Sequence, residues 1–278
     1  MIAAPVTPAR IDALRAAYPG AFPDRGLRMW VTRAAIAVGA VLFVWGLDRL
    51  GFGMLRLWQG SGELIRVGGL MLPPQTGGMA QTYALAIAET VAMAFLGTLA
   101  ASILAVPLGF MGARNTMPLA PLRFAVRRVF DVVRGVDSLI WAILFVSIIG
   151  LGPFAGILAI AVNDTGVLAK LYAEAIENAD AEQSRGVRAT GAGRVQVIRF
   201  GIWPQVVPLF LTNTLYFFES NVRSATILGV VGAGGIGFYL MDRILINAWP
   251  QVAFIILLIL ITVAVIDWLS HRIRRQLI

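Results

Sequence analysis

The sequence predicts an all-α integral membrane protein with about six transmembrane helices, and three observations carry that expectation. Of 278 residues, 58% are hydrophobic and 14% are charged, whereas soluble domains carry about 25% charged residues. Six stretches approach the ~20 apolar residues that a helix needs to cross the hydrocarbon core. Basic residues are segregated as well: eighteen fall on one side of the spans and five on the other. Positive charge gathers in cytoplasmic loops, so both termini are expected inside the cell, and an even number of spans agrees with that.

Taken in order, residues 1–28 read as an N-terminal interfacial segment. Thr7-Pro8 supplies an N-cap followed by proline at the first helical position, and Pro19-Gly20 ends the helix. Ile11, Leu14 and Tyr18 share one face, which suits a helix lying on the membrane or against a partner. The segment is not a cleavable signal, because it contains acids and leads into a span whose far end carries Asp48-Arg49. Residues 29–278 form one transmembrane domain. Its first span covers 29–47 and its second 82–112. Spans three and four share the run 138–163, broken at Gly150-Leu151-Gly152-Pro153. The fifth covers 206–226 and the sixth 249–269. The run 224–241 is uncharged but glycine-rich, so it is expected to end span five and continue as a re-entrant or capping segment surrounded by protein.

Span two carries small residues four apart: Gly97, Ala101, Ala105, Gly109 and Ala113. Such a stripe lets helix backbones approach closely in lipid, either inside the bundle or at a dimer seam. Pro107 is expected to kink this helix.

Several function classes are excluded. The chain has no cysteine, hence no disulfide or thiolate metal site. Its single histidine, His271, sits in a basic tail and is no metal ligand by itself. The arginines are spread between apolar spans, which argues against nucleic-acid binding. No Ser/His/Asp set, HExxH or P-loop lysine motif is present, so catalytic residues are not expected and the chain cannot hydrolyse ATP. Gly232-Ala233-Gly234-Gly235-Ile236-Gly237 matches GxGxxG, but residues 252–258 are apolar where a dinucleotide site needs an acid. Gly232, Gly234, Gly235 and Gly237 are read as a tight turn or gate.

Charges inside spans are rare because each costs about 2.5–3.5 kcal/mol on insertion scales. Glu219, Asn221 and Arg223 fall toward the outer end of span five. Glu219 and Arg223 have the i, i+4 spacing of an ion pair. That pair holds the helix in register, or Arg223 and Asn221 face the path of an anion, or the group meets a docked partner. Asp164, beside Asn163, lines the path or pairs with Lys170 or an arginine of another span. Asp137 is expected to pair with Arg134.

The loop 174–205 is the most informative segment. It contains Arg185-Gly186-Val187-Arg188-Ala189-Thr190-Gly191-Ala192-Gly193, with Pro204 thirteen residues after Gly191. A short basic helix over 186–199, with Gly191 and Gly193 allowing a change of direction, suits docking of a soluble partner. The glycine-to-proline spacing is similar to the "EAA" loop of ABC importer permeases. Arg185-Gly186-Val187 stands where that family has Glu-Ala-Ala, so a role for the acid does not carry over. Gly201 replaces its usual apolar residue. The block Phe218-Glu219-Ser220-Asn221-Val222-Arg223-Ser224-Ala225-Thr226, with Leu151-Gly152-Pro153-Phe154-Ala155-Gly156 and Thr165-Gly166-Val167-Leu168-Ala169-Lys170, resembles the phosphonate ABC importer permease family, relatives of which take phosphite and hypophosphite.

The resemblance covers about residues 82–278 and implies a type I importer permease with a cytoplasmic coupling helix. It implies that Val187, Arg188, Ala189, Thr190, Gly191, Ala192, Gly193 and Arg194 meet an ATP-binding subunit. Asn163, Asp164, Glu219, Asn221, Arg223 and Ser224 are the candidate path residues. The implied partners are a second permease copy in a homodimer, an ATP-binding subunit dimer that holds ATP and Mg, and a periplasmic or lipid-anchored binding protein. The implied location is the bacterial inner membrane, among lipid and away from nucleic acid. Two alternatives stand beside this reading: an ABC permease for another small solute, and an ion-coupled secondary transporter using Asp164 and Glu219. The inverted repeats common in the latter class are not seen.

Overall fold

The computed structural model describes residues 12–13, 16–17, 25–51 and 54–277. The N-terminal helix expected after Thr7-Pro8 lies largely outside these residues. The chain divides into two units, 1–67 and 68–278. In the first, α1 (Arg25–Arg49) contains a candidate span over Met29–Arg49. Ile36, Val41, Phe43 and Val44 are all exposed along it, as expected of a helix that is apolar all round and solvated by lipid. A second helix, α2 (Met54–Leu70), was not expected from the sequence. Its Arg66 pairs with Glu63 at 2.8 Å on an exposed face, a contact that stabilises little.

The second unit is a helical bundle. It contains α3 (Ala80–Gly112), α4 (Ala120–Val133), α5 (Ser138–Ile149) and α6 (Pro153–Glu177). Two short helices follow, α7 (Ala181–Ala189) and α8 (Arg194–Val197). A π-turn over Ile198–Ile202 leads into α9 (Trp203–Leu228), and a second π-turn, Gly229–Ala233, leads into α10 (Gly235–Leu245). The bundle closes with α11 (Trp249–Leu277). Five helices are long and apolar enough to cross a membrane, and a sixth span arises if α4 and α5, bent by 82°, act together.

The third span therefore differs from the expectation. The apolar run that begins at Ser138 stops after 12 residues, a rise of about 18 Å. Gly150, with φ +105, ends it, and Gly152, with φ +142, precedes Pro153 at the start of α6. Asp137 does not pair with Arg134. Its side chain caps α5 by accepting from the Leu139 N–H at 2.8 Å, while Arg134 meets Asp131 at 3.1 Å.

The most deeply buried helix is α6, which packs on α3, α4, α5 and α9. The stripe on α3 explains its closest contact. Gly97, Ala101, Ala105 and Gly109 are all buried. A Cβ at Gly97 would meet the Cβ of Ile160 at 2.8 Å, and one at Gly109 would meet that of Tyr172 at 2.8 Å. The stripe thus faces α6 inside the bundle.

Candidate functional site

The loop 174–205 folds as a compact, locally stitched body. The helix expected over 186–199 is instead two helices separated by a turn. Asp180 caps α7 by accepting from the Glu182 N–H at 2.9 Å. The helix stops at Thr190, and Gly191 takes φ +82, a conformation that favours glycine. Gly193 then starts α8, its N–H donating to Gln196 Oε1 at 2.8 Å.

Glu177 at the end of α6 and Gln205 at the start of α9 anchor the two ends of this segment. Gln205 Oε1 accepts from the Asp180 N–H at 2.8 Å, and Gln205 Nε2 donates to the Gly201 carbonyl at 2.5 Å. The Glu177 carboxylate takes Arg127 Nη2 at 2.5 Å and the Arg114 N–H at 2.7 Å. Gly201 packs against α7, where a Cβ would sit 3.0 Å from Ser184 Cα. That contact leaves no room for a side chain and is the physical reason for glycine at this position.

Of the expected coupling residues, Val187 and Ala192 are half-buried. Arg188, Ala189, Thr190, Gly191, Gly193 and Arg194 are exposed. Arg114, Arg185, Arg188 and Arg194 border a groove of about 800 Å³ whose one acid is Glu177. Among the described residues Arg188 and Arg194 form no ion pair. The surface can therefore receive a partner with acidic and apolar groups.

The candidate path residues separate into two sets on opposite sides of α9. Asn221 points into the bundle, and its Nδ2 donates to Asp164 Oδ2 at 2.5 Å and to Thr98 Oγ1 at 2.8 Å. Asn163 Nδ2 donates to the other Asp164 oxygen at 3.0 Å. Asp164 is buried midway along α6. Its partners are amides, so the expected pairing with Lys170 or an arginine is not found. Further along the same three helices, Ser102, Tyr172 and Thr214 join their hydroxyls at 2.7–3.0 Å. Two polar tiers thus clamp α3, α6 and α9.

Arg223 faces the other way. Its guanidinium lies 3.7 Å from Glu219 and 3.6 Å from Asp267 on α11, and its side chain is 52% exposed. Charge-assisted hydrogen bonds run about 2.7–2.9 Å, so both contacts are loose. Glu219 is bound more closely by Arg274, from the last turn of α11. Ser224 is half-buried and enters neither set. This group lies in the second half of α9. Its neighbour Asn221 meets the midpoint of α6, because the chain beyond Leu228 turns back into the bundle. Thr98, Ser102, Tyr172 and Thr214 were not legible in the sequence, because their hydroxyls carry no distinctive pattern, and neither were the roles of Asp267 and Arg274. Asp267 had a signal, being an acid within an apolar span.

The glycine segment forms that turn. Gly232, Gly234 and Gly235 take φ of +99, +80 and +67, values costly for other residues. Gly237 is required by contact, since a Cβ there would stand 1.9 Å from the Thr226 carbonyl oxygen. The Gly232 carbonyl accepts from the Gly152 N–H at 3.0 Å, and the Ile236 N–H donates to Thr90 Oγ1 at 2.9 Å. The turn is thereby fastened to the α5–α6 break and to α3.

Comparison with known proteins places this architecture. Residues 105–278 match the family described as "Binding-protein-dependent transport system inner membrane component". The chain is 36% identical over 255 residues to the phosphite transport system permease protein PtxC of Stutzerimonas stutzeri, covering 90% of this chain and 91% of that one. It is 37% identical over 238 residues to the phosphate-import permease protein PhnE of Mycolicibacterium smegmatis, covering 86% of this chain and 44% of that one. The inward-facing MetNI methionine ABC transporter shares the fold, with a TM-score of 0.64 at 21% identity, over 73% of this chain and all of that one. The chain belongs to the binding-protein-dependent transport system inner membrane component family and is a transmembrane permease subunit of that class.

Proposed function

We propose that this permease carries phosphite, or a related phosphonate or phosphorus oxyanion, across the bacterial inner membrane in an ATP-driven importer. Similarity to the phosphite permease over nine-tenths of both chains supports the substrate class, and Arg223 supports the chemistry. A half-exposed guanidinium in a spanning helix is costly against lipid, so it faces water or protein. Its donors are loosely held by Glu219 and Asp267, which leaves them available to an anion in transit. Asp164 and Asn221 hold the helices together.

In this reading two permease copies enclose one path, with both termini in the cytoplasm. A binding protein delivers the anion from outside, and two ATP-binding subunits dock on the α7–α8 segments. ATP, held with Mg by those subunits, brings them together. The α7–α8 body moves with them through its links at Gln205 and Glu177, and the cavity opens outward. Hydrolysis returns it.

ATP hydrolysis by the permease in lipid, with its ATP-binding subunit and binding protein, tests this directly. Phosphite, hypophosphite, phosphonates and phosphate are added singly. Stimulation by one or more is expected. A stable complex stimulated by none contradicts the substrate class, and failure to bind an ATP-binding subunit contradicts the importer reading.

A further inference from the structure

The four charges at the α9–α11 contact are not equally paired. Glu219 and Asp267 are acids, Arg223 and Arg274 are bases, and the set is neutral overall. Arg274 is only 18% exposed; its Nη2 is held closely by Glu219, while its Nε reaches the Ser270 carbonyl only at 3.5 Å. Glu219, 12% exposed, gives one oxygen to Arg274 and offers the other to Arg223 only at 3.7 Å. Arg223 is therefore the cation with unspent donors.

We infer that Arg274 is a positioning residue for the transport path: by holding Glu219 it leaves Arg223 free to receive the anion. This rests on the reading that Arg223 faces the path. Without Arg274, the Glu219 carboxylate would close on Arg223, four residues along the same helix face. One carboxylate would then be left uncompensated beside the route of an anion, and like charges repel strongly where water is scarce. The C-terminal turn would thus set the anion affinity of a site on α9, a role that a basic tail in solution could not play.

Anion uptake into vesicles containing the whole importer tests this, with complex assembly measured on the same preparations. Arg274→Gln is expected to lower uptake about tenfold or more while the complex still assembles, in line with the cost of an unpaired buried charge. Arg274→Lys, which keeps the charge, is expected to recover most of the rate. The decisive variant is Glu219→Gln/Arg274→Gln. Removing the acid as well is expected to raise uptake several-fold above Arg274→Gln alone. A double variant no better than the single one means that Arg274 merely anchors the last turn, and overturns the inference. If Arg274→Gln does not assemble, the double variant and Arg274→Lys still decide, because both must then assemble and transport. Arg223→Gln separates the two levels. Normal uptake by that variant sinks the path reading itself, whereas loss there with normal uptake in Arg274→Gln sinks only the positioning role.

Discussion

The coupling segment and the bundle interior are both held by hydrogen bonds, but the bonds differ in reach. Within residues 180–196 the side-chain bonds span two or three positions, as at Asp180–Glu182 and Gly193–Gln196. Inside the bundle, Asn221 reaches Asp164 and Thr98, 57 and 123 positions away. A body stitched locally keeps its shape wherever it is carried, which suits a docking surface. A bundle stitched at long range changes those bonds whenever its helices move apart. In the proposed mechanism the α7–α8 segment is carried as a unit, and the α3–α6–α9 contact resists until it moves.

That contrast makes perturbation costs unequal. The largest effect is expected at the α3–α6 contact. Gly109→Leu would drive a side chain into Tyr172, at a cost of about 1–3 kcal/mol or more for overpacking. Thermal unfolding of the purified permease should show a clear loss of stability. Next is Asp164→Ala, which strands the amides of Asn221 and Asn163 and should cost about 1–2 kcal/mol. Asp164→Asn, which retains an acceptor, should cost less by the same measurement.

The coupling segment should respond differently. Arg188→Glu with Arg194→Glu reverses two exposed charges that form no ion pair among the described residues. The unfolding midpoint should stay unchanged, while affinity for the ATP-binding subunit falls about tenfold, or ~1.4 kcal/mol. A large loss of stability in this variant would mean that these arginines hold the fold rather than a docking surface. The smallest effect is expected for Asp180→Ala. Loss of the cap should cost about 1 kcal/mol, confined to faster amide exchange over 181–189 with the bundle unaffected.

The same division explains what the sequence revealed. A short helical, basic segment between α6 and α9 was legible because its signals are local: a glycine-to-proline spacing and clustered arginines. Its break into two helices followed less readily, since it depends on the Asp180 cap and on Gly191 taking a positive φ. The spans were legible from apolar length, except where α5 stops at 12 residues and needs α4 to complete a crossing. The glycines at 232–237 signalled a reversal, but not that it would be pinned to Thr90 and Gly152. Partners across the bundle were the least legible. Asp164 was visible as an expensive charge, yet nothing in its neighbourhood points to Asn221 rather than a cation. Arg274 read as a tail residue because its acid lies 55 positions away.

In the proposed mechanism an oxyanion passes Arg223 when ATP drives the α7–α8 segment. Uptake of phosphite by vesicles bearing the complete importer, wild type against Arg223→Gln, tests it most directly, with ATP hydrolysis measured in the same vesicles. Uptake is expected to fall at least about tenfold while the complex stays assembled, in line with losing a charged contact worth ~1.4 kcal/mol or more. Undiminished phosphite uptake by an assembled Arg223→Gln importer would contradict it.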